Sequence, residues 1–165
     1  MLFFLCSTCL CVGQNTRIDK EIPTWKNGDE PDLYYQLTKQ KINQLKLDDL
    51  ELGYDSLQIR IWFDYSMIDY NQLLVLKYDG SEWRGWHYEL EVLWNAYDLT
   101  DKIKRKKKTE ITPSSGWTSL FEKLEKSKIT KLPNMEDIDG LVDNWTDGST
   151  YIVEIGTKNS YRFYS

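Results

Sequence analysis

From Leu57 to Tyr65 the chain alternates strictly. Leu57, Ile59, Ile61, Phe63 and Tyr65 form one set and Gln58, Arg60, Trp62 and Asp64 the other. Extended backbone sends successive side chains to opposite sides, so a period of two predicts a strand with unlike faces, the apolar set turned inward. The period returns between Trp83 and Trp94, where Trp86, Tyr88, Leu90, Val92 and Trp94 share a face. Before it, residues 73–78 (LLVLKY) lead into Asp79-Gly80, a dipeptide that tolerates positive φ and closes tight hairpins. The run KIKRKKKTEIT (102–112) has strand length, and its lysines suit a sheet edge, where charge opposes stray pairing. Residues 151–155 and 161–164, around a turn at Gly156 and Asn159, predict a second hairpin.

Two segments break this period. In PDLYYQLTKQKINQLKL (31–47), Pro31 suits a first helical turn and Asp32 the positive end of a helix. Leu33, Tyr35, Leu37, Ile42 and Leu45 make a ragged stripe. Trp117, Leu120, Phe121 and Leu124 fall at i, i+3, i+4 and i+7, the cleanest amphipathic helix in the chain. The expected fold is α+β: a mostly antiparallel meander sheet of five or six strands with one or two helices packed on a face. With 165 residues the chain is long enough for one well-buried core. That domain is read over 31–165, and 14–30, punctuated by Pro23 and Gly28, as a linker or N-terminal arm. Because the last hairpin ends without a cover, the native chain is expected to continue past Ser165.

The opening MLFFLCSTCLCVG carries no charged side chain. It matches a signal-peptide core in length and is too short to cross a bilayer as a helix. Cys11 and Gly13 are small enough for the −3 and −1 positions of a cut before Gln14. Residues 1–13 are therefore read as a signal peptide and the protein as exported to the periplasm, cell surface or medium. Cys6, Cys9 and Cys11 all lie in the removed segment, which leaves no disulfide framework, no thiolate nucleophile and no transmembrane span in the mature chain.

Composition narrows the chemistry. Twenty-one Lys+Arg against 26 Asp+Glu give a net charge of −5, contrary to the clustered positive charge a nucleic-acid binder needs. A single histidine, His87, excludes a multi-histidine metal site. Alternation places His87 with Glu89 and Glu91 on the face opposite Trp86. Those glutamates would stand roughly 7 Å apart by strand rise, within reach of two-acid glycosidic chemistry. The acidic stretch 134–148 lacks calcium-loop register and reads as a solvated loop. No cofactor is expected. Lys102, Lys104, Arg105, Lys106, Lys107 and Lys108 form an opposite, basic pole. Asn144-Trp145-Thr146 fits a glycosylation sequon.

Aromatic residues make up 14 % of the chain. Several fall off the expected inner face: Trp62 opposes Ile61 and Phe63, and Trp83 and Trp86 cannot share a side. Exposed aromatics on a sheet suit stacking on sugar rings or a protein interface. Trp62, Trp83, Trp86, Lys106, Lys107 and Lys108 are therefore the candidate partner surface.

Ser115-Gly116-Trp117 opens a helix bearing Phe121 and Leu124, and Leu132-Pro133 follows. Then come Asp147-Gly148, Tyr151, Val153-Glu154 and the closing Tyr161-Arg162-Phe163-Tyr164. Over residues 115–165 this resembles uncharacterised exported bacterial proteins, a domain of unknown function. The resemblance implies a small export-targeted domain and brings no catalytic residues. Glu154 and Arg162, across the hairpin turn, are expected to form a partly buried pair. The expected function is a non-enzymatic binding module for a protein or glycan in the envelope or outside the cell. The alternatives are a carboxylate-based hydrolase of envelope or dietary polymer, and an inhibitor or immunity protein.

Overall fold

The computed structural model describes residues 17–25, 28–65, 68–95, 97–140 and 148–165. The signal-peptide segment and the sequon lie outside the described residues. In chain order the elements are β1 (Asp19–Glu21), α1 (Leu33–Leu45), β2 (Leu57–Tyr65), β3 (Tyr70–Tyr78), β4 (Trp83–Asn95), β5 (Thr100–Ile111), α2 (Trp117–Lys126), β6 (Ser149–Thr157) and β7 (Ser160–Tyr164). The fold is mixed α+β with a largely antiparallel sheet. It has seven strands instead of five or six, in the order β1-β7-β6-β2-β3-β4-β5.

A meander holds only from β2 to β5. The chain then returns to the other side of β2, where β6 pairs antiparallel from Leu57↔Thr157 to Tyr65↔Ser149. The N-terminal arm supplies the seventh strand. Asp19, Lys20 and Glu21 pair in parallel with Ser160, Tyr161 and Arg162, the one parallel contact in the sheet. Ile18 and Ile22 flank that strand and pack on the core, so three residues of pairing are backed by two apolar side chains. The basic strand does lie at an edge, as its composition predicts.

The helices do not share a face. Ile42 and Leu45 of α1 close over Trp62, Leu73, Val75, Tyr88, Leu90 and Ile152. On the other side Trp117, Leu120 and Leu124 of α2 pack against Ile59, Leu76, Val153, Ile155 and Tyr164. Both faces of β2 are therefore buried, and the inward assignment of its odd residues is only half of what occurs. Gln58, Arg60 and Trp62 are each 0 % exposed, whereas Ile61 and Phe63 remain partly accessible.

Local chemistry fixes the helix positions. Asp32 caps α1, accepting from the Tyr35 amide at 2.7 Å, and this satisfies a backbone donor left free by the first turn. Gly116 (φ +78°) enters α2. Opposite it on the sheet, a Cβ at Gly85 would lie 2.5 Å from Cη2 of Trp117 and 3.1 Å from Ile111, so glycine is what lets the indole seat on the strand.

No helix among the described residues is long and apolar enough to cross a membrane.

Candidate functional site

Under α1 the sheet carries charge. The Arg60 Nη1 lies 3.5 Å from Glu154, which also accepts from Trp62 Nε1 at 2.9 Å and Tyr161 Oη at 3.1 Å. Arg60 also donates to the Asp48 carbonyl at 2.5 Å, and Gln58, with its amide oxygen turned inward, accepts from Arg60 Nε at 2.8 Å. Burial, followed by the Glu154 charge, pushes the Tyr161 phenol far above its ordinary range. A second group centres on Lys41, also fully buried, whose ammonium sits 2.5 Å from Asp64 and 3.3 Å from Asp101. Burial raises the Asp101 carboxyl despite that lysine. Asp64 and Asp101 do converge, but the ammonium fills the space between them. The Lys41 cluster holds α1 to the sheet, and the Arg60 cluster ties β2, β6 and β7 to the segment that follows α1.

The α2 side differs along its length. Packing against α2 ends at the row Val153, Ile61, Leu74. Beyond it register aligns Tyr151, Phe63, Gln72, Glu89 and Lys107, then Ser149, Tyr65, Tyr70, Glu91 and Arg105. Phe63 and Tyr151 meet edge to face with ring centres 5.3 Å apart, and Tyr65 stacks on Tyr70 at 6.2 Å. Tyr151 is 59 % exposed. The polar groups in this layer are connected. Gln72 meets His87 Nε2 at 2.9 Å and donates to Tyr65 Oη at 3.3 Å, and Tyr70 Oη donates to Glu89 at 3.3 Å. Desolvation, then the Glu89 carboxylate, raise the Tyr70 phenol, which keeps it a donor.

Charge on this half-face cancels in place. Glu89 pairs with Lys107 at 2.7 Å and Glu91 with Arg105 at 3.5 Å. The Lys107 hydrogen bond lowers the Glu89 carboxyl. A general acid for glycoside cleavage needs the opposite shift, so this geometry does not favour the two-glutamate hydrolase.

The candidate surface read from sequence does not assemble. Trp62 lies under α1, 0 % exposed, and offers no surface. Trp83 is on the α2 side, ring centres 4.9 Å from Phe121 and 5.2 Å from Tyr78, serving as part of the helix seat. Trp86 is on the α1 side, half-buried beneath Lys108, whose ammonium stands 4.7 Å over the indole. Lys106 is exposed on the edge strand, and Lys107 is tied to Glu89. Glu154 and Arg162 also part company. Glu154 sits opposite Phe163 and Arg162 opposite Ile155, so the two point to opposite faces. Arg162 instead pairs with Glu21 at 2.6 Å and donates to the Thr130 and Leu132 carbonyls. In the acidic stretch 134–148, positions 141–147 are outside the described residues, and no cluster of three metal-ligating side chains occurs among the described ones.

No family model, curated protein or solved structure matches this chain. The site therefore rests on its own chemistry. Phe63 and Tyr65 escaped the sequence reading because their alternation assigns them to the core. The signal that could have found them was the reach of α2: a ten-residue helix (Trp117–Lys126) of about 15 Å cannot cover strands of roughly 30 Å.

Proposed function

We propose that the protein is an exported, non-enzymatic binding module that takes a neutral glycan on the uncovered half of the α2-side sheet face. One observation carries this reading: Phe63, Tyr65, Tyr70 and Tyr151 lie in one layer with a connected amide, imidazole and phenol network whose charges are internally paired. Rings present flat apolar area to the C–H faces of a pyranose, and interleaved donors and acceptors match its hydroxyls. A strongly charged ligand would have to break the Glu89–Lys107 and Glu91–Arg105 pairs. Export is supported by the uncharged opening segment and the resemblance of residues 115–165 to exported bacterial proteins.

Affinity electrophoresis through gels containing neutral polysaccharides (xylan, glucan, mannan) tests the reading. The wild-type chain is expected to be retarded by at least one polymer, and Tyr65→Ala/Tyr70→Ala to run at its polymer-free mobility with an unchanged urea midpoint. Free migration of the wild type through every gel would overturn the glycan assignment, as would undiminished retardation of the double variant.

A further inference from the structure

Exposed large apolar side chains concentrate at one end of the sheet, where Ile68, Leu93, Trp94, Tyr97 and Leu99 all lie open. The topology makes this end a protrusion. Strand β3 begins with Tyr70 opposite Glu91, and the last bond to the neighbouring turn runs from the Val92 amide to the Asp69 carbonyl at 3.1 Å. Past that point β4 and β5 pair only with each other: Leu93↔Lys102, Trp94↔Asp101, Asn95↔Thr100. The hairpin is nevertheless held firmly. Gln44 of α1 donates to the Asp101 carbonyl at 2.6 Å and accepts from the Ile103 amide at 2.8 Å, while Gln40 accepts from the Asp101 amide at 3.2 Å. Tyr97 and Leu99 thus stand out from a braced stalk.

Immediately behind the apolar tip comes positive charge. Lys102 is the cross-strand partner of Leu93, and Lys104, Arg105 and Lys106 follow along an exposed strand. At about 3.3 Å per residue these four charges begin within roughly 10 Å of the turn. Of the acids nearby, Glu91 pairs with Arg105 at 3.5 Å and Asp101 with Lys41, whereas Asp98 accepts only a hydroxyl bond from Thr100 at 2.6 Å and Asp69 stands exposed beside the tip. Tyr97 and Leu99 at the apex, Leu93 and Trp94 on the strand behind them and lysines further back follow the depth profile of a bilayer interface. A protein pocket that received this convex tip would have no need of the cation belt.

We propose that the β4–β5 hairpin tip is a membrane-docking device: Leu93, Trp94, Tyr97 and Leu99 enter the interface of an anionic bilayer while Lys102, Lys104 and Lys106 meet its headgroups. The docking tip lies beyond the ring-lined half-face, whose last row ends in the Glu91–Arg105 pair, and is tested independently of the glycan reading. The stalk pairs internally up to Asn95↔Thr100, and the turn beyond it enters only the hydrated interface, where water meets its backbone groups.

The test is co-sedimentation of the full chain with phosphatidylcholine vesicles, with and without one quarter phosphatidylglycerol. Binding to the anionic vesicles is expected, weakening as salt rises. Trp94→Ser/Tyr97→Ser and Lys102→Ala/Lys104→Ala should each lower it about tenfold or more. A second readout separates the tip from the apolar opening segment, which carries no tryptophan before Trp25. Brominated lipid in the vesicles should quench emission in the wild type that is missing from the conservative Trp94→Phe variant. Absence of anionic-vesicle binding at low salt would overturn the proposal. So would equal quenching of wild type and Trp94→Phe, or binding by the serine double variant within twofold of wild type, the result a protein-docking tip would give.

Discussion

Arg60 and Glu154 are fully desolvated; Arg60 donates to the Asp48 carbonyl and Gln58, Glu154 accepts from Trp62 and Tyr161, and Nη1 of Arg60 faces Glu154 at 3.5 Å as an ion pair without a hydrogen bond. Two charges withdrawn from water are held only if their remaining polar atoms are met, and removing one leaves the other uncompensated. Glu154→Gln is therefore expected to cost about 3 kcal/mol in urea unfolding. Replacing both members, as Arg60→Met/Glu154→Leu, should recover most of that loss. If the single variant were as stable as wild type, the pair would not be contributing to stability. Glu154 was conspicuous in the sequence as a lone acid among Tyr151, Ile152, Val153 and Ile155. Its partner was not legible, because cross-strand neighbours depend on register. A one-residue difference in pairing places Arg162 on the far face and brings Arg60, ninety-four positions away, to the carboxylate.

At the scale of elements, composition and periodicity read well where a segment's own chemistry decides its state. Helix α2, the Asp79-Gly80 hairpin and the lysine-rich edge strand all form where expected. What the patterns missed was which strand face a helix would claim. Helix α2 depends on a missing side chain, since Trp117 occupies the space a Cβ at Gly85 would need. Gly85→Ala should push the indole out and cost about 1–3 kcal/mol. The near-UV dichroism from the stacked Trp83 and Trp117 rings should be lost with it, while α1 and its buried charges stay in place. A fully native near-UV spectrum in that variant would show that α2 seats elsewhere.

For the whole molecule, one carboxylate joins the N-terminal arm to α1. Lys20 of β1 meets Glu51 at 3.0 Å, Lys39 of α1 meets it at 2.7 Å, and Tyr35 donates its hydroxyl to it. Burial alone would raise this carboxyl, but the Lys39, Tyr35 and Lys20 hydrogen bonds outweigh that and hold it at about 2, against an ordinary 4.5. A folded-state value below the unfolded one means stability present above about pH 4.5 and lost as the pH falls toward 2. Urea midpoints measured across that range should fall more steeply for wild type than for Glu51→Gln. Parallel curves would show that the tie contributes nothing to acid stability.

Element types follow from the sequence because they are set by neighbours a few residues apart: alternation makes strands, i/i+4 stripes make helices, Asp-Gly makes a turn, and a lysine-rich run keeps a strand at the rim. The order β1-β7-β6-β2-β3-β4-β5, the burial of Arg60 beneath α1 and the gathering of Phe63, Tyr65, Tyr70 and Tyr151 beyond the end of α2 were decided only by tertiary structure. They depend on which surfaces remain uncovered after two short helices are spent on a seven-stranded sheet. That sum is taken over the whole chain, and no local window of residues contains it.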